Sequence, residues 1–365
     1  MIKNEIQWFY PSFGKEEKKS LNKLIESNYL NEGKQTIKFE KKLAKFLRVK
    51  YAIATTSGTA ALTLSLLSLG VGVGDEVIVP NFTFIASANA ARFCGATIKL
   101  VDVCKENFLI DVDKIENLIN EKTKAIVSVD VNGRACNYHK LKKICKKKKI
   151  HLVCDSAEAL GSKHNSRFLG TYGDLGCFSF SAAKTISTGQ GGLIVTNEKK
   201  LYNKILELKD QGRRYRGTGG NDKHPSLGFN FKFTDLQATV GLEQFSKLKK
   251  RLNFFKKRDA KYHSLLKEIK YIEIPPKSKG EVLQWFDILV KFKKKPLLDH
   301  LHKNKIGFRE FWFPLSIQNP YKTRKFNLEN SFLVSKRGLW LPSNFDLNEK
   351  QIEYISKTIR KFYES

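Results

Sequence analysis

The chain has 365 residues, of which 41% are apolar, and its 66 basic and 36 acidic side chains give a formal net charge of +30. This length and apolar fraction exclude wholesale disorder and predict one large domain with a smaller one. The excess lysine is spread along the whole chain and no nucleic-acid-reading motif accompanies it, so it indicates a solvated basic surface.

Signals for secretion, membrane insertion and metal binding are not found in the sequence. The first nineteen residues carry acidic side chains and no continuous apolar core, unlike a signal peptide. No apolar run approaches the roughly 18 residues that a membrane helix needs. The six cysteines form no C-x-x-C pair and have no histidine at zinc-ligand spacing, so no metal site is predicted. We expect reduced cysteines in a soluble, cytoplasmic protein.

The predicted elements begin with an arm, residues 1–35, that contains a short helix. From there to about residue 250, helical stretches such as 60–69, 86–93 and 138–147 alternate with short apolar runs. The candidate strands are 51–55, 75–80, 97–103, 125–131, 150–155, 176–180 and 192–197. This alternation predicts a large α/β domain over residues 1–250 with a mostly parallel, covered central sheet.

A smaller α+β domain is predicted for residues 251–365. A long helical pattern begins at Thr234 and crosses the boundary between the domains. Beyond it, WFDILVKF (285–292) alternates like a half-buried strand, and 296–304 has the pattern of a helix.

Three segments of the large domain carry residues suited to chemistry, and the first is TTSGTAAL (55–62). A strand ends here, small hydroxyl residues and a glycine follow, and an apolar helix begins. The unpaired amides and the dipole of such a helix N-terminus suit a phosphate group. An ordinary helix cap has the same pattern, so this segment alone leaves both interpretations open.

The second segment is CDSAEA (154–159), in which Asp155 closes a predicted strand. Ligands of open α/β folds bind at this carboxyl edge of the sheet. A carboxylate there can keep a pyridine nitrogen protonated, as pyridoxal 5'-phosphate (PLP) requires to act as an electron sink. A second helix cap is an equally good interpretation.

The third segment places Lys184 four residues after a predicted strand and before the glycine-rich turn TGQGG (188–192). No charged residue other than Lys184 occurs from Leu175 to Thr196. A lysine among small and apolar residues loses part of its preference for the ammonium form and can become a Schiff-base nucleophile.

Taken in order, these motifs resemble the sugar aminotransferases of the DegT/DnrJ/EryC1/StrS family. The resemblance is carried by SGTAAL, then PNFTF (80–84), DSAEALG, FSF-x-x-x-K with G-x-G-G, and GFNFKFTDLQATVGLEQ (228–244), and it runs from about residue 35 to 244. It implies a fold-type I PLP-dependent enzyme. Glu158, and the stretch around His224 and Pro225, further resemble the GDP-perosamine synthase branch.

The resemblance also implies residue roles. Lys184 would hold PLP as a Schiff base and move protons, Asp155 would pair with the pyridinium nitrogen, and Glu158 would lie near the phenolic oxygen. Phe84 would stack on the ring, while Ser57, Gly58, Thr59 and Ser179 would bind the phosphate. Asn230 would reach the phosphate in the neighbouring subunit, which implies a homodimer with shared active sites.

The implied reaction moves an amino group from L-glutamate to a nucleotide-linked keto sugar, such as GDP-4-keto-6-deoxymannose, in the synthesis of a cell-surface glycan such as lipopolysaccharide O-antigen. Three alternatives are a PLP-dependent sugar 3-dehydratase, a non-catalytic relative and a basic nucleic-acid-binding protein. Dehydratase relatives replace the Schiff-base lysine and a non-catalytic relative is expected to lose it or Asp155, whereas this chain has both. No nucleic-acid or membrane partner is predicted.

Several positions depart from the family pattern and concern the substrate rather than PLP. Asn132 stands where relatives often have tyrosine, Gln190 replaces a common glutamate, and Ser316 replaces a histidine. Four cationic residues are candidates for contacting a diphosphate or a glutamate carboxylate, with no individual assignment: Lys232, Arg213, Arg214 and Arg309.

Overall fold

The computed structural model describes residues 5–213, 223–323 and 327–364. Its strands are β1 Tyr51–Thr55, β2 Glu76–Pro80, β3 Thr97–Val101, β4 Thr123–Val129, β5 His151–Asp155, β6 Lys163–His164, β7 Arg167–Phe168, β8 Leu175–Ser179, β9 Gly192–Thr196, β10 Ile272–Glu273, β11 Phe286–Val290, β12 Arg309–Glu310 and β13 Gly338–Leu341.

The helices are α1 Lys15–Glu26, α2 Lys34–Leu47, α3 Gly58–Ser68, α4 Ala86–Phe93, α5 Tyr138–Lys148, α6 Lys199–Lys209, α7 Asp235–Ser246, α8 Leu248–Leu266, α9 Lys294–Lys303, α10 Glu329–Arg337 and α11 Glu349–Glu364. The long helical pattern predicted from Thr234 is therefore two helices, which meet at Lys247.

A seven-stranded sheet forms the centre of the larger part of the molecule, in the order β1-β9-β8-β5-β4-β2-β3. The pairs from β8 to β3 are parallel, and β9 runs antiparallel to both β8 and β1. Strands β1, β2, β3, β4, β5 and β8 consequently end at one edge of the sheet, which is where parallel α/β sheets bind ligands.

Helix α3 is positioned by its apolar composition. Every residue from Ala60 to Leu66 is buried, as expected for a helix that is hydrophobic on all sides. It packs against β1, β5, β8 and β9 and against helices α4 and α6. Because α3 is enclosed in this way, its N-terminus at Gly58 is held rigidly at the ligand-binding edge.

A second, antiparallel sheet has the order β10-β11-β13-β12. Strand β11 is buried along its whole length, so the expectation of a half-buried strand over WFDILVKF was wrong. Phe286, Ile288 and Val290 join the core formed with α8, α9 and α11, whereas Trp285 and Leu289 belong to the core of the large sheet. Both faces of β11 are buried because each faces a separate core, and Asp287 on the second face is paired with Arg134.

The N-terminal segment contacts both parts of the molecule. Ile6 forms a β-bridge with Ile306, and the Trp8 ring lies 5.2 Å from that of Trp285 and 6.5 Å from that of Trp340. Helix α1 then packs on α7. The predicted arm is therefore anchored beside the small sheet before α1 packs on α7.

The predicted fold class is confirmed: the fold is α/β, with a mostly parallel central sheet and a smaller antiparallel sheet. All seven candidate strands of the large domain are present, with ends within two residues of the prediction. The division into domains at residue 250, which falls inside α8, stays a prediction. Among the described residues no helix has the length and apolarity needed to cross a membrane.

Candidate active site

A cavity of about 330 Å³ opens at the carboxyl edge of the large sheet, where β1, β4, β5 and β8 end. Its volume is in the range of sites that bind small molecules and cofactors. Eight of the nine predicted site residues line it, namely Ser57, Gly58, Thr59, Phe84, Asp155, Glu158, Ser179 and Lys184.

One end of the cavity has the geometry of an anion seat. Ser57 caps α3, and its hydroxyl accepts a hydrogen bond from the amide of Ala60 at 3.0 Å. The amides of Gly58 and Thr59 have no acceptor within the helix, because they belong to its first turn. A Cβ atom on Gly58 would lie 3.0 Å from the Cβ of Ser179, so glycine allows this close approach. The arrangement supplies both amides and hydroxyls to a phosphate.

The buried carboxylate of Asp155 lies at the end of β5. Its Oδ2 accepts a hydrogen bond from the Ser87 hydroxyl at 2.7 Å, and its Oδ1 accepts one from the Ala157 amide at 3.2 Å. Burial raises the pKa of the Asp155 carboxyl above its ordinary value, and both hydrogen bonds act in the opposite direction. The charge of Glu158 adds to the rise of this pKa, while that of Lys184 reduces it.

Lys184 lies between a carboxylate and an aromatic ring. Its Nζ is 3.2 Å from Oε1 of Glu158 and 5.2 Å from the centre of the Trp285 ring. The side chains of Lys184 and Glu158 are only 14% and 8% exposed, so water screens this ion pair weakly. The lysine that lacks charged neighbours in sequence thus has a charged neighbour in space.

A second buried carboxylate, Asp130, also lines the cavity, at the end of β4. It accepts hydrogen bonds from the hydroxyls of Tyr138 and Ser156. Burial raises the pKa of Asp130 to about 7, against the opposing effect of these hydrogen bonds. The negative charge of Asp155, the next carboxylate along the edge, adds to the rise.

The side of the cavity opposite the large sheet is aromatic and cationic. Trp285 precedes β11, and Trp312 follows β12, with its ring 6.5 Å from that of Phe84. Arg309 also lines the cavity, and its guanidinium carbon lies 5.2 Å from the Trp8 ring and 5.7 Å from the Trp340 ring. The rings of Trp8 and Trp340 therefore orient Arg309 toward the cavity.

The other cationic candidates have different surroundings. The Lys232 ammonium lies 2.6 Å from Oδ1 of Asp210, which neutralises it. Arg213 does not line the cavity, and Arg214 lies outside the described residues. Among the three candidates that the structure describes, Arg309 is the residue that lines the cavity.

Asn230, the ninth predicted site residue, does not line the cavity. It is exposed and forms a β-bridge with Asp210. Its predicted contact was with a neighbouring subunit, so this placement does not test the prediction.

The three departures from the family pattern occupy different positions. Gln190 lines the cavity. Ser316 is buried outside it, and its amide donates to Oδ1 of Asn81 at 2.8 Å. Asn132 is buried, and its backbone amide donates to Oε2 of Glu158 at 2.9 Å.

Sequence reasoning missed several residues that shape the site. Ser87, which holds Asp155, is one of many small residues in α4, and its proximity to Asp155 arises only when β2 and β5 enter one sheet. Trp285 and Trp312 are distant from every motif of the large domain. The only signal for them was the density of aromatic residues around β11 and β12, which is more often a feature of a core.

The fold and the cavity together define an α/β enzyme with a lysine, a buried carboxylate and an anion seat around one ligand. Over residues 11–360 the chain matches the model of the DegT/DnrJ/EryC1/StrS aminotransferase family. The chain belongs to this family.

Individual relatives agree with the assignment. GDP-perosamine synthase of Escherichia coli O157:H7 is 33% identical over 98% of each chain. The structure of Helicobacter pylori PseC, an aminotransferase of pseudoaminic acid biosynthesis, is 29% identical, with a TM-score of 0.93 over 99% of this chain and all of the other. The putative sugar aminotransferase Spr1654 of Streptococcus pneumoniae, in its PLP form, has 26% identity and a TM-score of 0.92 over 99% of each chain.

The prediction of a PLP-dependent sugar aminotransferase is therefore confirmed. The cavity fits PLP on its own chemistry. It combines first-turn amides and hydroxyls suited to a phosphate, a buried carboxylate suited to a pyridinium, and a lysine suited to an aldehyde.

Proposed function

We propose that this enzyme transfers an amino group from L-glutamate to a keto sugar carried on a nucleoside diphosphate. The acceptor would be a 4-keto-6-deoxy hexose such as GDP-4-keto-6-deoxymannose, and the product would enter a cell-surface glycan such as O-antigen. The reaction would take place in the cytoplasm, where the six cysteines, free in the structure, stay reduced.

One observation carries the catalytic part of the proposal: Lys184, Asp155 and the N-terminus of α3 all line a single cavity. They come from segments separated by 29 residues or more, so their convergence is a property of the fold. Bound there, PLP supplies an electron sink that stabilises negative charge at the carbon from which a proton is removed.

The chain's own residues have distinct tasks in this proposal. The amides of Gly58 and Thr59 with the hydroxyls of Thr59 and Ser179 hold the phosphate. Asp155 holds the pyridine nitrogen protonated. The Nζ of Lys184 would hold the cofactor and, when free of it, would move the proton of the amino donor as a general base and acid.

Glu158 and Phe84 complete the proposed set. The Glu158 carboxylate lies within 3.2 Å of Nζ of Lys184 and orients it. Phe84 is 52% exposed and lines the cavity, so its ring is available to cover the flat face of the cofactor.

The substrate part of the proposal rests on the similarity to GDP-perosamine synthases and on the position of Arg309. GDP-perosamine synthases of Escherichia coli and Vibrio cholerae are each 33% identical to this chain, and Glu158 resembles that branch in sequence. Arg309 supplies a fixed cation toward the cavity, which suits a carboxylate or a diphosphate. A nucleotide sugar carries two negative charges next to the hexose, so Arg309 is a suitable anchor for it.

We also propose that the enzyme acts as a homodimer. Phe84 and Trp312 line the cavity, and the adjacent Phe313 is 68% exposed. Such apolar surface beside an active site favours cover by a second copy. The exposed Asn230 would then contribute to the partner's site. A substitution that breaks the dimer tests this, because it should reduce the PLP affinity of both subunits.

Absorption spectroscopy tests the catalytic proposal. Protein loaded with PLP should absorb visible light, and L-glutamate should shift this band to the near ultraviolet as the cofactor takes up the amino group. Lys184→Ala should abolish the visible band and reduce amino transfer by about 10⁴-fold. Lys163→Ala, at a lysine that lies over the Phe168 ring outside the cavity, should change neither.

A panel of GDP-, UDP- and dTDP-linked keto sugars tests the substrate. The protein in its glutamate-treated form should regain the visible band with its own substrate, and mass spectrometry should detect the amino sugar. Recovery with a UDP- or dTDP-linked sugar alone would contradict the choice of GDP. No spectral response to glutamate or to any sugar would contradict the aminotransferase reaction on these substrates.

A further inference from the structure

Asn132 connects the two sheets through its side chain. Its Oδ1 accepts a hydrogen bond from the Trp285 amide at 2.8 Å, and its Nδ2 donates to the Trp285 carbonyl at 2.8 Å and to Oδ2 of Asp287 at 2.7 Å. Asn132, Trp285 and Asp287 are all buried. The carboxamide therefore fixes the backbone on which the Trp285 ring is mounted.

The backbone of Asn132 holds the other neighbour of Lys184. Its amide donates to Oε2 of Glu158 at 2.9 Å, and Oε1 of the same carboxylate lies 3.2 Å from Nζ of Lys184. The second neighbour of this Nζ is Trp285, whose ring centre lies 5.2 Å away. Lys184, Glu158, Asn132 and Trp285 thus form a closed circuit of contacts.

The local backbone explains why asparagine occupies this position. Asn132 has φ 53° and ψ 26°, in the left-handed region that asparagine tolerates better than most residues. A tyrosine at this position has no carboxamide and could not make the paired bonds with Trp285. Gly133 follows with φ +87°, and a Cβ atom there would lie 2.3 Å from the carbonyl oxygen of Val282.

A neighbouring ion pair keeps this loop against the small sheet. The two terminal guanidinium nitrogens of Arg134, Nη1 and Nη2, donate to the Asp287 carboxylate at 2.6 and 2.8 Å, and both side chains are 1% exposed. The Asp287 carboxylate thus accepts hydrogen bonds from both Arg134 and Asn132. The loop is held in place by Arg134, while Asn132 contacts Glu158 and Trp285, two residues that line the cavity.

We propose that Asn132 is a positioning residue that sets the place of the Lys184 amine from two sides, through Glu158 and through Trp285. The inference rests on the role proposed above for Lys184 in moving the proton of the amino donor. Proton transfer depends steeply on the placement of the base, so a small displacement slows that step in particular.

The test is Asn132→Gly. Glycine keeps the backbone amide that donates to Glu158 and accepts the left-handed conformation, while it removes the carboxamide that fixes Trp285. The glutamate half-reaction should slow by about tenfold in kcat with little change in KM, because the donor's binding contacts are untouched. The matched control is Asn344→Gly, at a buried asparagine whose Nδ2 donates to the carbonyl of Gln7, outside the cavity.

The decisive measurement is the primary deuterium isotope effect with 2-deuterated glutamate. If Lys184 is displaced, proton transfer becomes slower than the other steps and the isotope effect on kcat should rise in Asn132→Gly but not in Asn344→Gly. An unchanged isotope effect together with an unchanged kcat, or a loss of kcat that follows melting temperature alone in both variants, would overturn the proposal.

A second pair of variants keeps the proposal testable if the glycine variant folds poorly. Asn132→Asp places two carboxylates next to each other and should slow the half-reaction further. Adding Asp287→Asn exchanges the amide and the carboxylate and should recover part of the rate, together with a smaller isotope effect; no recovery would overturn the proposal. A wild-type enzyme that does not exchange the α-proton of glutamate at all would overturn the proposed function itself, which separates the two failures.

Discussion

The cavity is formed by residues of both sheets, and the two sets differ in chemistry. The large sheet contributes the hydrogen-bonding and titrating groups, with Asp130 and Asp155 at strand ends and Lys184 after β8. The small sheet and its flanking segments contribute aromatic rings and one cation, Arg309.

This difference in chemistry follows from how each sheet holds its side chains. Carboxyl ends of parallel strands present polar side chains in fixed positions beside helix N-termini, which suits groups that must bind one cofactor. Antiparallel strands buried on both faces present large apolar side chains, which suit the exclusion of water and the orientation of one charged group. We therefore expect substitutions on the large sheet to affect chemistry, and substitution of Arg309 on the small sheet to affect substrate binding.

Of the three substitutions that test this comparison, Asp155→Asn, which keeps the shape of the side chain and removes its charge, should have the largest effect. Without the carboxylate the pyridine nitrogen is not held protonated, so amino transfer should fall on the order of 10³-fold while PLP still binds. Stopped-flow measurement of the glutamate half-reaction gives the rate. Asp174→Asn, at a carboxylate that accepts from the Leu152 amide outside the cavity, is the control, and an equal loss there would remove the distinction.

A smaller effect, and one on binding, is expected for Arg309→Gln. Loss of a charge-assisted hydrogen bond costs about 1.5–3 kcal/mol, so the KM of the substrate that Arg309 contacts should rise about 10- to 100-fold with a smaller change in kcat. Separate half-reactions identify whether this substrate is glutamate or the nucleotide sugar. Arg360→Gln, at a helix-surface arginine, should leave both KM values unchanged. A fall in kcat alone would contradict the division of roles between the sheets.

The smallest effect is expected for Ser87→Ala. The Ser87 hydroxyl lowers the pKa of Asp155, which burial raises, so its removal should raise that pKa further. Because the ionised form of Asp155 is the active one, the acid limb of the pH–rate profile should move to higher pH, with a few-fold loss of rate near neutrality. Ser65→Ala, at a buried serine that contacts Cys177, should leave the profile in place, and a shift toward lower pH in Ser87→Ala would contradict the assignment.

Much of the large domain and its site could be predicted because the signals are local. Each buried parallel strand is a short apolar run, and a residue at or just after its carboxyl end, such as Asp155 or Ser57, lies at the ligand-binding edge by the geometry of the sheet alone. Eight of the nine predicted residues therefore line one cavity. Their catalytic roles stay predictions.

The small sheet was harder to predict for a physical reason. Alternation in WFDILVKF predicted one solvated face, but the alternate residues of β11 enter two different cores. A periodic pattern shows that two faces differ, and it does not show what covers each of them. The cover of the second face comes from the N-terminal segment and the large sheet, which are distant in sequence.

The sequence alone determined the succession of the seven strands of the large domain, the lysine and carboxylate, and the family to which they belong. Only the tertiary structure decided that Arg309, of the three described cationic candidates, lines the cavity, and that Asn132 joins Glu158 to Trp285 across 153 positions of the chain. Local patterns fix where a strand ends, because that depends on neighbouring residues. Contacts between segments more than a hundred residues apart depend on how the two cores pack, which no local pattern records.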